Sequence, residues 1–267
     1  MVARLIHRHA IADRLFPGSF AGDFNDIHNG DVVLFGVDDA AACAVRDAAY
    51  RLTEMSQLDS RLVDLGNMDD PDHQLPEALA VISRRCAPLI MMGGNTKHGS
   101  TFINILADTF SPSGTVFILL SSRLDIAPPR KVGNMGLAIG TTRLVGKPEH
   151  HAWRSTGGEI LPAFNFNLIR LEKTLNNFST KANKVLLLVD MSVVDTGYAA
   201  GALFRNIGGL SPVVTLEAVA RIRSRFEIKG LGLLNLTPER DPRGHSERIA
   251  AMIIQNILMD HPVRSAP

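Results

Sequence analysis

The chain has 267 residues, 45% of them hydrophobic and 21% charged, with 28 Lys and Arg against 27 Asp and Glu. That is the composition of an ordinary globular protein, and it excludes a disordered or fibrous chain. A formal charge of +1 removes the electrostatic reason to expect nucleic acid or an anionic membrane as partner, since both are held largely by surplus Lys and Arg.

Short apolar runs rich in Val, Ile and Leu recur with helical text between them, the rhythm of βαβ units and a mainly parallel sheet. In chain order the expected strands are Asp31 to Phe35, Arg61 to Leu65, Pro88 to Met92, Thr115 to Leu120, Gly136 to Gly140, Lys184 to Val189 and Gly230 to Leu234. Apolar residues at every third or fourth position predict helices over Asp39 to Met55, Leu75 to Ala87, Ser100 to Phe110, Leu161 to Phe178, Thr215 to Phe226 and Ser246 to Met259. The expected fold is therefore a three-layer α/β/α domain over residues 31–267 with a mainly parallel sheet of about seven or eight strands. Residues 1–30 lack this periodicity and read as an N-terminal arm against the domain or a neighbouring subunit. The stretches Ala127 to Gly133 and Gly140 to Gly158 read as loops within the domain.

Cys43 and Cys86 have no CxxC spacing, so neither a disulfide frame nor a zinc site is expected and a reducing cytoplasm fits best. No run approaches the roughly 18 apolar residues of a membrane span, and MVARLIHRHAIADRLF lacks the apolar run of a signal peptide.

In open parallel sheets ligands bind beyond the carboxyl ends of the strands. Here those segments are GGNTKHGS, SSRLDIAPPR, DMSVVDTGYAAG and NLTPERD. Together with the strands before them they resemble the ureohydrolase family of arginases and agmatinases, which shares its fold with the histone deacetylases. AVRDAAYRL and RLVDLGNM are similar to the family's first helix and its V-D-x-G-D strand end. Gly93-Gly94-Asn95 stands in the place of Gly-Gly-Asp-His, and FILLSSRLD in that of the strand ending in Asp-Ala-His-x-Asp. LLLVDMSVVDTGYAAGALFRNIGGLS follows, without a gap, the segment from Ser-x-Asp-x-Asp-x-x-Asp-Pro to Gly-Gly-Leu-Thr, and LLNLTPERDPRGHSERIAAMII resembles the last strand and helix.

The resemblance implies two manganese ions held by two His and four Asp, with a bridging hydroxide that attacks a guanidinium carbon. Carried over residue by residue, it leaves only Asp125 and Asp190 as ligands. Thr96 falls on the first His, Ser121 and Ser192 on two Asp, and Arg123 on the second His. Asn235 takes the place of the glutamate that holds the substrate guanidinium, and Phe204 falls in the substrate loop. The expectation is a protein without manganese, with at most a single weak metal using His98, Asp125 and Asp190. Arg123, a fixed cation, is expected to replace the metal charge by pairing with one or both aspartates.

Two functions follow from the resemblance. One is a pseudoenzyme or binding or regulatory subunit, a homo-oligomer of three or six chains that acts beside an active paralogue. The other is a repurposed enzyme on a C–N bond of a small anionic guanidino or amidino compound, with Asp125, Asp190, His98 and Arg123 as its chemistry. In either case Asn95, Lys97, Ser121, Arg123, Ser192 and Asn235 are the expected cleft residues. Glu149, His150 and His151 read as solvated loop, and Ser121 and Ser122 lack the G-x-S-x-G turn of a nucleophile. Asp195 and Gly208 to Ser211 read as loop architecture, and Glu239, Arg240 and Asp241 as support for the closing helix and for subunit contacts.

Overall fold

A computed structural model describes residues 15–22, 25–52, 61–85, 88–110, 114–142 and 146–258. Among the described residues nine strands form one sheet: β1 Phe20–Ala21, β2 Val32–Gly36, β3 Leu62–Asn67, β4 Leu89–Met92, β5 Thr115–Leu120, β6 Gly136–Thr141, β7 Glu159–Pro162, β8 Lys184–Asp190 and β9 Glu227–Leu234. They lie in the order β1-β3-β2-β4-β9-β8-β5-β6-β7, and every pairing is parallel. The central strands are buried along almost their whole length, which is why they read as unbroken apolar runs and not as alternating text.

Seven helices cover the two faces: α1 Asp39–Arg51, α2 Pro71–Ile82, α3 Thr96–Thr109, α4 Lys147–Ser155, α5 Leu168–Ser179, α6 Pro212–Arg223 and α7 His245–Leu258. Helices α1, α5, α6 and α7 bury their apolar stripes in one core against Val116, Ile118 and Leu120 of β5. Helices α2, α3 and α4 pack on the other face, against Phe117 and Leu119. Successive residues of one strand thus feed opposite cores, as the two-residue period of a strand requires. The fold is the three-layer α/β/α architecture expected from the sequence.

All seven expected strands are present, and two more join them at the edges. The stretch read as loop from Gly140 to Gly158 contains α4, and the text from Leu161 that suggested a helix opens with edge strand β7. Helix α5 begins later, where the Asn167 side chain accepts from the Arg170 amide. The sequence signal fails here for a physical reason. KPEHHAWRS carries a single buried anchor, Trp153, whose ring lies 5.9 Å from that of Phe117, and one aromatic residue makes no periodic stripe. Its neighbours His150 and His151 accordingly sit on a helix and not in a solvated loop.

Ahead of β2, Phe16 is buried and its amide donates to Asp64 Oδ2 at 3.0 Å, while β1 pairs with β3. The part of the expected arm formed by residues 1–14 lies outside the described residues. Cys43 is a free thiol, and Cys86 also falls outside them. Among the described residues no helix is long and apolar enough to cross a membrane.

Candidate functional site

Strands β4, β9, β8 and β5 are neighbours at the centre of the sheet. Because all run parallel, their carboxyl ends deliver Gly93 to Thr96, Asn235, Asp190 to Ser192 and Ser121 to Asp125 to the same edge of the sheet. Gly93 and Gly94 both have positive φ, +81° and +87°, which lets the chain turn from β4 into α3. Asn95 then caps α3, its side chain accepting from the amides of Lys97 and His98.

Asp190 is fully enclosed. Its Oδ2 accepts from the Asn235 amide at 2.8 Å and from the Ser121 hydroxyl at 3.3 Å, and its Oδ1 accepts from the Ser192 backbone N–H at 2.8 Å. Burial pushes this carboxyl above the ordinary aspartate range, against the pull of Ser192 and Asn235, and the negative charge of nearby Asp125 pushes the same way. A 2.8 Å hydrogen bond joins the Ser122 and Ser192 hydroxyls. The Ser121 hydroxyl oxygen in turn accepts from the Arg123 amide at 3.0 Å.

Asp125 is the other carboxylate expected at this edge from the sequence. Its Oδ2 accepts from Arg123 Nε at 3.0 Å and from the Thr96 hydroxyl at 3.2 Å. The Arg123 side chain contacts Asp125 and not Asp190, and its guanidinium carbon stacks 4.1 Å from the centre of the Phe204 ring. The strand ends therefore bring together a hydrogen-bonded set of hydroxyls, two carboxylates and one guanidinium.

His98 belongs elsewhere. Its Nδ1 closes the capping box of α3 on the Asn95 amide, and its Nε2 lies 3.1 Å from Asp72 Oδ1. Lys97 pairs with the same Asp72 at 2.8 Å, holding that carboxyl below its ordinary range. Among the described residues no three His, Cys, Asp or Glu side chains come together as a group that could hold a metal ion. The donor set at the strand ends does not fit two manganese ions: two carboxylates cannot offset four positive charges, and a guanidinium stands among them.

Outside this network opens a cleft of about 970 Å³, lined by Arg123, Asp125, Glu149, Phe164, Phe204, Arg205 and others, with Ile207 and Arg240 also on its wall. Ser121, Ser192 and Asn235 lie buried beneath it, while Asn95 and Lys97 are absent from its lining. Sequence reasoning missed Arg205, Phe164 and Glu149 as wall residues. They lie in segments with no apolar period, and only the fold of α4, of the turn after β7 and of the 195–211 loop brings them here. Asp195 fastens that loop, accepting from the amides of Gly197 at 2.8 Å and Gly208 at 2.7 Å.

A model of the Arginase family matches residues 109–259, more than half of the chain, and the chain belongs to that family. No curated protein matches it by sequence. Among solved structures, formimidoylglutamase from Bacillus subtilis superposes with a TM-score of 0.73 at 19% identity, over 96% of this chain and 92% of that one. Proclavaminate amidino hydrolase from Streptomyces clavuligerus gives 0.75 at 18%, over 92% and 95%. Arginase from Bacillus cereus gives 0.73 at 15%, over 87% and 99%. The chain thus has the arginase fold over most of its length.

Proposed function

We propose that this chain is a ureohydrolase-fold protein that no longer carries out manganese-dependent guanidino hydrolysis and serves instead as a binding or regulatory subunit, a pseudoenzyme of its family. The observation that carries this reading is the Arg123 to Asp125 contact at 3.0 Å, set beside an Asp190 whose oxygens are engaged by Ser121, Ser192 and Asn235. A hydroxide made by metal polarisation needs carboxylates free to bind the metal. Here one is paired with a fixed cation and the other is buried in a neutral network. The proposal includes a cytoplasmic location and assembly into a trimer or hexamer of this chain, alone or beside an active paralogue.

The test is direct. Protein purified from manganese-supplemented medium is assayed for bound metal, and for urea release from arginine, agmatine and guanidinobutyrate. Less than a stoichiometric trace of manganese and no urea are expected; two equivalents of metal per chain, or urea formation, would overturn the reading.

A second reading is a repurposed enzyme on a C–N bond that works without a binuclear centre. It is favoured by Asp190, whose carboxyl is held above the ordinary aspartate range by burial and stands near a second carboxyl group, Asp125, since a pair of neighbouring acids can divide general acid and base roles. Ammonia or amine release from small anionic amidino compounds in the presence of a chelator, lost in Asp125→Asn, distinguishes it from the first.

A further inference from the structure

The cleft has the opposite polarity to one that receives a cation. Its wall carries three guanidinium groups, Arg123, Arg205 and Arg240, against two carboxylates, Asp125 and Glu149. Asp125 is already engaged by Arg123 Nε, and Arg240 Nη1 donates to the Leu203 carbonyl at 3.0 Å. Arg205 is exposed and forms no ion pair among the described residues.

Arg123 is held in a particular way. Asp125 takes its Nε, and the Phe204 ring supports one face of the guanidinium at 4.1 Å. The side chain is still 47% exposed, and among the described residues neither terminal nitrogen has an acceptor. A guanidinium fixed at Nε and stacked on a ring presents its remaining N–H groups as a fork of set direction, the geometry that matches two oxygens of one carboxylate or phosphate. Fixing the group beforehand also lowers the entropy lost when a ligand is bound. Beyond the fork, Phe164 and Ile207 line the cleft with 55% and 89% of their surface exposed, an apolar stretch of its wall.

We infer that the cleft binds a small oxyanion with a flat apolar body, its carboxylate or phosphate seated on the terminal nitrogens of Arg123 with Arg205 adding charge, and its body lying against Phe164 and Ile207. This rests on the reading that Arg123 has taken the metal seat. It adds that the same arginine is the recognition group, so that a cation site has become an anion site.

The experiment is calorimetric titration of the full chain with phenyl phosphate, phenylacetate and, as an uncharged control, benzyl alcohol, with bound manganese measured on the same preparation. At least one of the two anions is expected to bind with Kd at or below about 1 mM, and benzyl alcohol not to bind. Comparison of the phosphate and carboxylate arms shows which headgroup is preferred. Arg123→Ala is expected to weaken anion binding at least about tenfold, and Arg123→Lys to lose most of that affinity despite keeping the charge, because an ammonium cannot form the fork. Arg225→Ala, past the end of α6 and paired with Glu172 outside the cleft lining, should leave binding unchanged. Where Arg123→Ala does not fold, Arg123→Lys decides. Absence of binding by both anions in a chain that also holds no manganese, or binding unaffected at Arg123, overturns the inference and leaves the metal-free reading standing. Two equivalents of manganese overturn that reading, and the inference with it.

Discussion

Asn235 donates its side-chain amide to Asp190 Oδ2 across 2.8 Å from a backbone held at φ +58°. It is the one non-glycine residue with positive φ among those described, and Asn tolerates that region better than most. Its Oδ1 is buried without a partner. Two unfavourable features are thus retained where β8 and β9 meet, and both serve to place one amide on one carboxylate.

Replacing that amide with an acid tests the pairing. Asn235→Asp puts two carboxyls in hydrogen-bonding reach, so one must hold its proton more tightly when folded than when unfolded. Where the folded state binds more protons, stability falls as pH rises. Urea unfolding should show a loss of about 1–3 kcal/mol at pH 7 that shrinks as pH approaches 4. A loss independent of pH would mean the two side chains do not share a site.

A second ion pair is entirely internal. Arg46 and Asp64 are 1% and 0% exposed, joined by two hydrogen bonds of 2.7 Å from Nε and Nη2, with Nη1 on Asn67 Oδ1. Arg46→Met leaves Asp64 buried and uncompensated and should cost about 3–5 kcal/mol. The double variant with Asp64→Leu, which removes both charges, should recover part of that in the same denaturation curves.

Glu247, in the first turn of α7, is buried with Oε2 unpartnered. Burial, reinforced by the charge of Asp241, raises its carboxyl above the ordinary value of 4.5, against the pull of its own backbone amide, Arg248 and His245. A raised folded-state value makes the group most favourable below its unfolded value and progressively less so as pH rises through the folded one. Glu247→Gln should therefore melt higher than the parent at pH 8, with the two curves converging near pH 4.

Gly209 lies so close to the neighbouring chain that a Cβ would meet the Asp195 amide nitrogen at 2.6 Å and the Val193 carbonyl oxygen at 2.8 Å. Backbone cannot swing aside as a side chain can. Gly209→Ala should cost about 1–3 kcal/mol and loosen the 195–211 loop, visible as faster hydrogen exchange there than in β5 or β8.

The ligand set that the family resemblance implies can also be introduced. If the strand-end positions correspond to those of the family, the combined substitutions Thr96→His, Ser121→Asp, Arg123→His and Ser192→Asp should let the chain retain manganese that the parent does not, measured as metal per chain after desalting. Retention by neither protein would argue against the correspondence.

The chain sequence carried the architecture because parallel strands buried on both faces must be apolar throughout: TVFILL and KVLLLV are strands β5 and β8 wherever else the chain goes. It also carried the expectation of exchanged ligand residues, since a departure from a motif is legible without coordinates. Contacts between distant segments were not legible. Pairing of Arg123 with one or both aspartates was expected, but nothing in the text near it says that Asp125 alone takes its Nε while Asp190 is closed off by Ser121, Ser192 and Asn235, or that Phe204, 81 residues further on, supports the guanidinium. His98 was a reasonable ligand by residue type until the start of α3 turned it toward Asp72.

The sequence alone therefore carried the seven central strands, most of the helices and the expectation that four ligand positions hold other residues, because periodicity and residue chemistry are local properties. Which charge neutralises which, and that the cleft wall is dominated by guanidinium groups, was decided only when parallel packing brought the ends of β4, β5, β8 and β9 to one edge. Electrostatic energy depends on distance and burial, and neither is written in the order of residues along a chain.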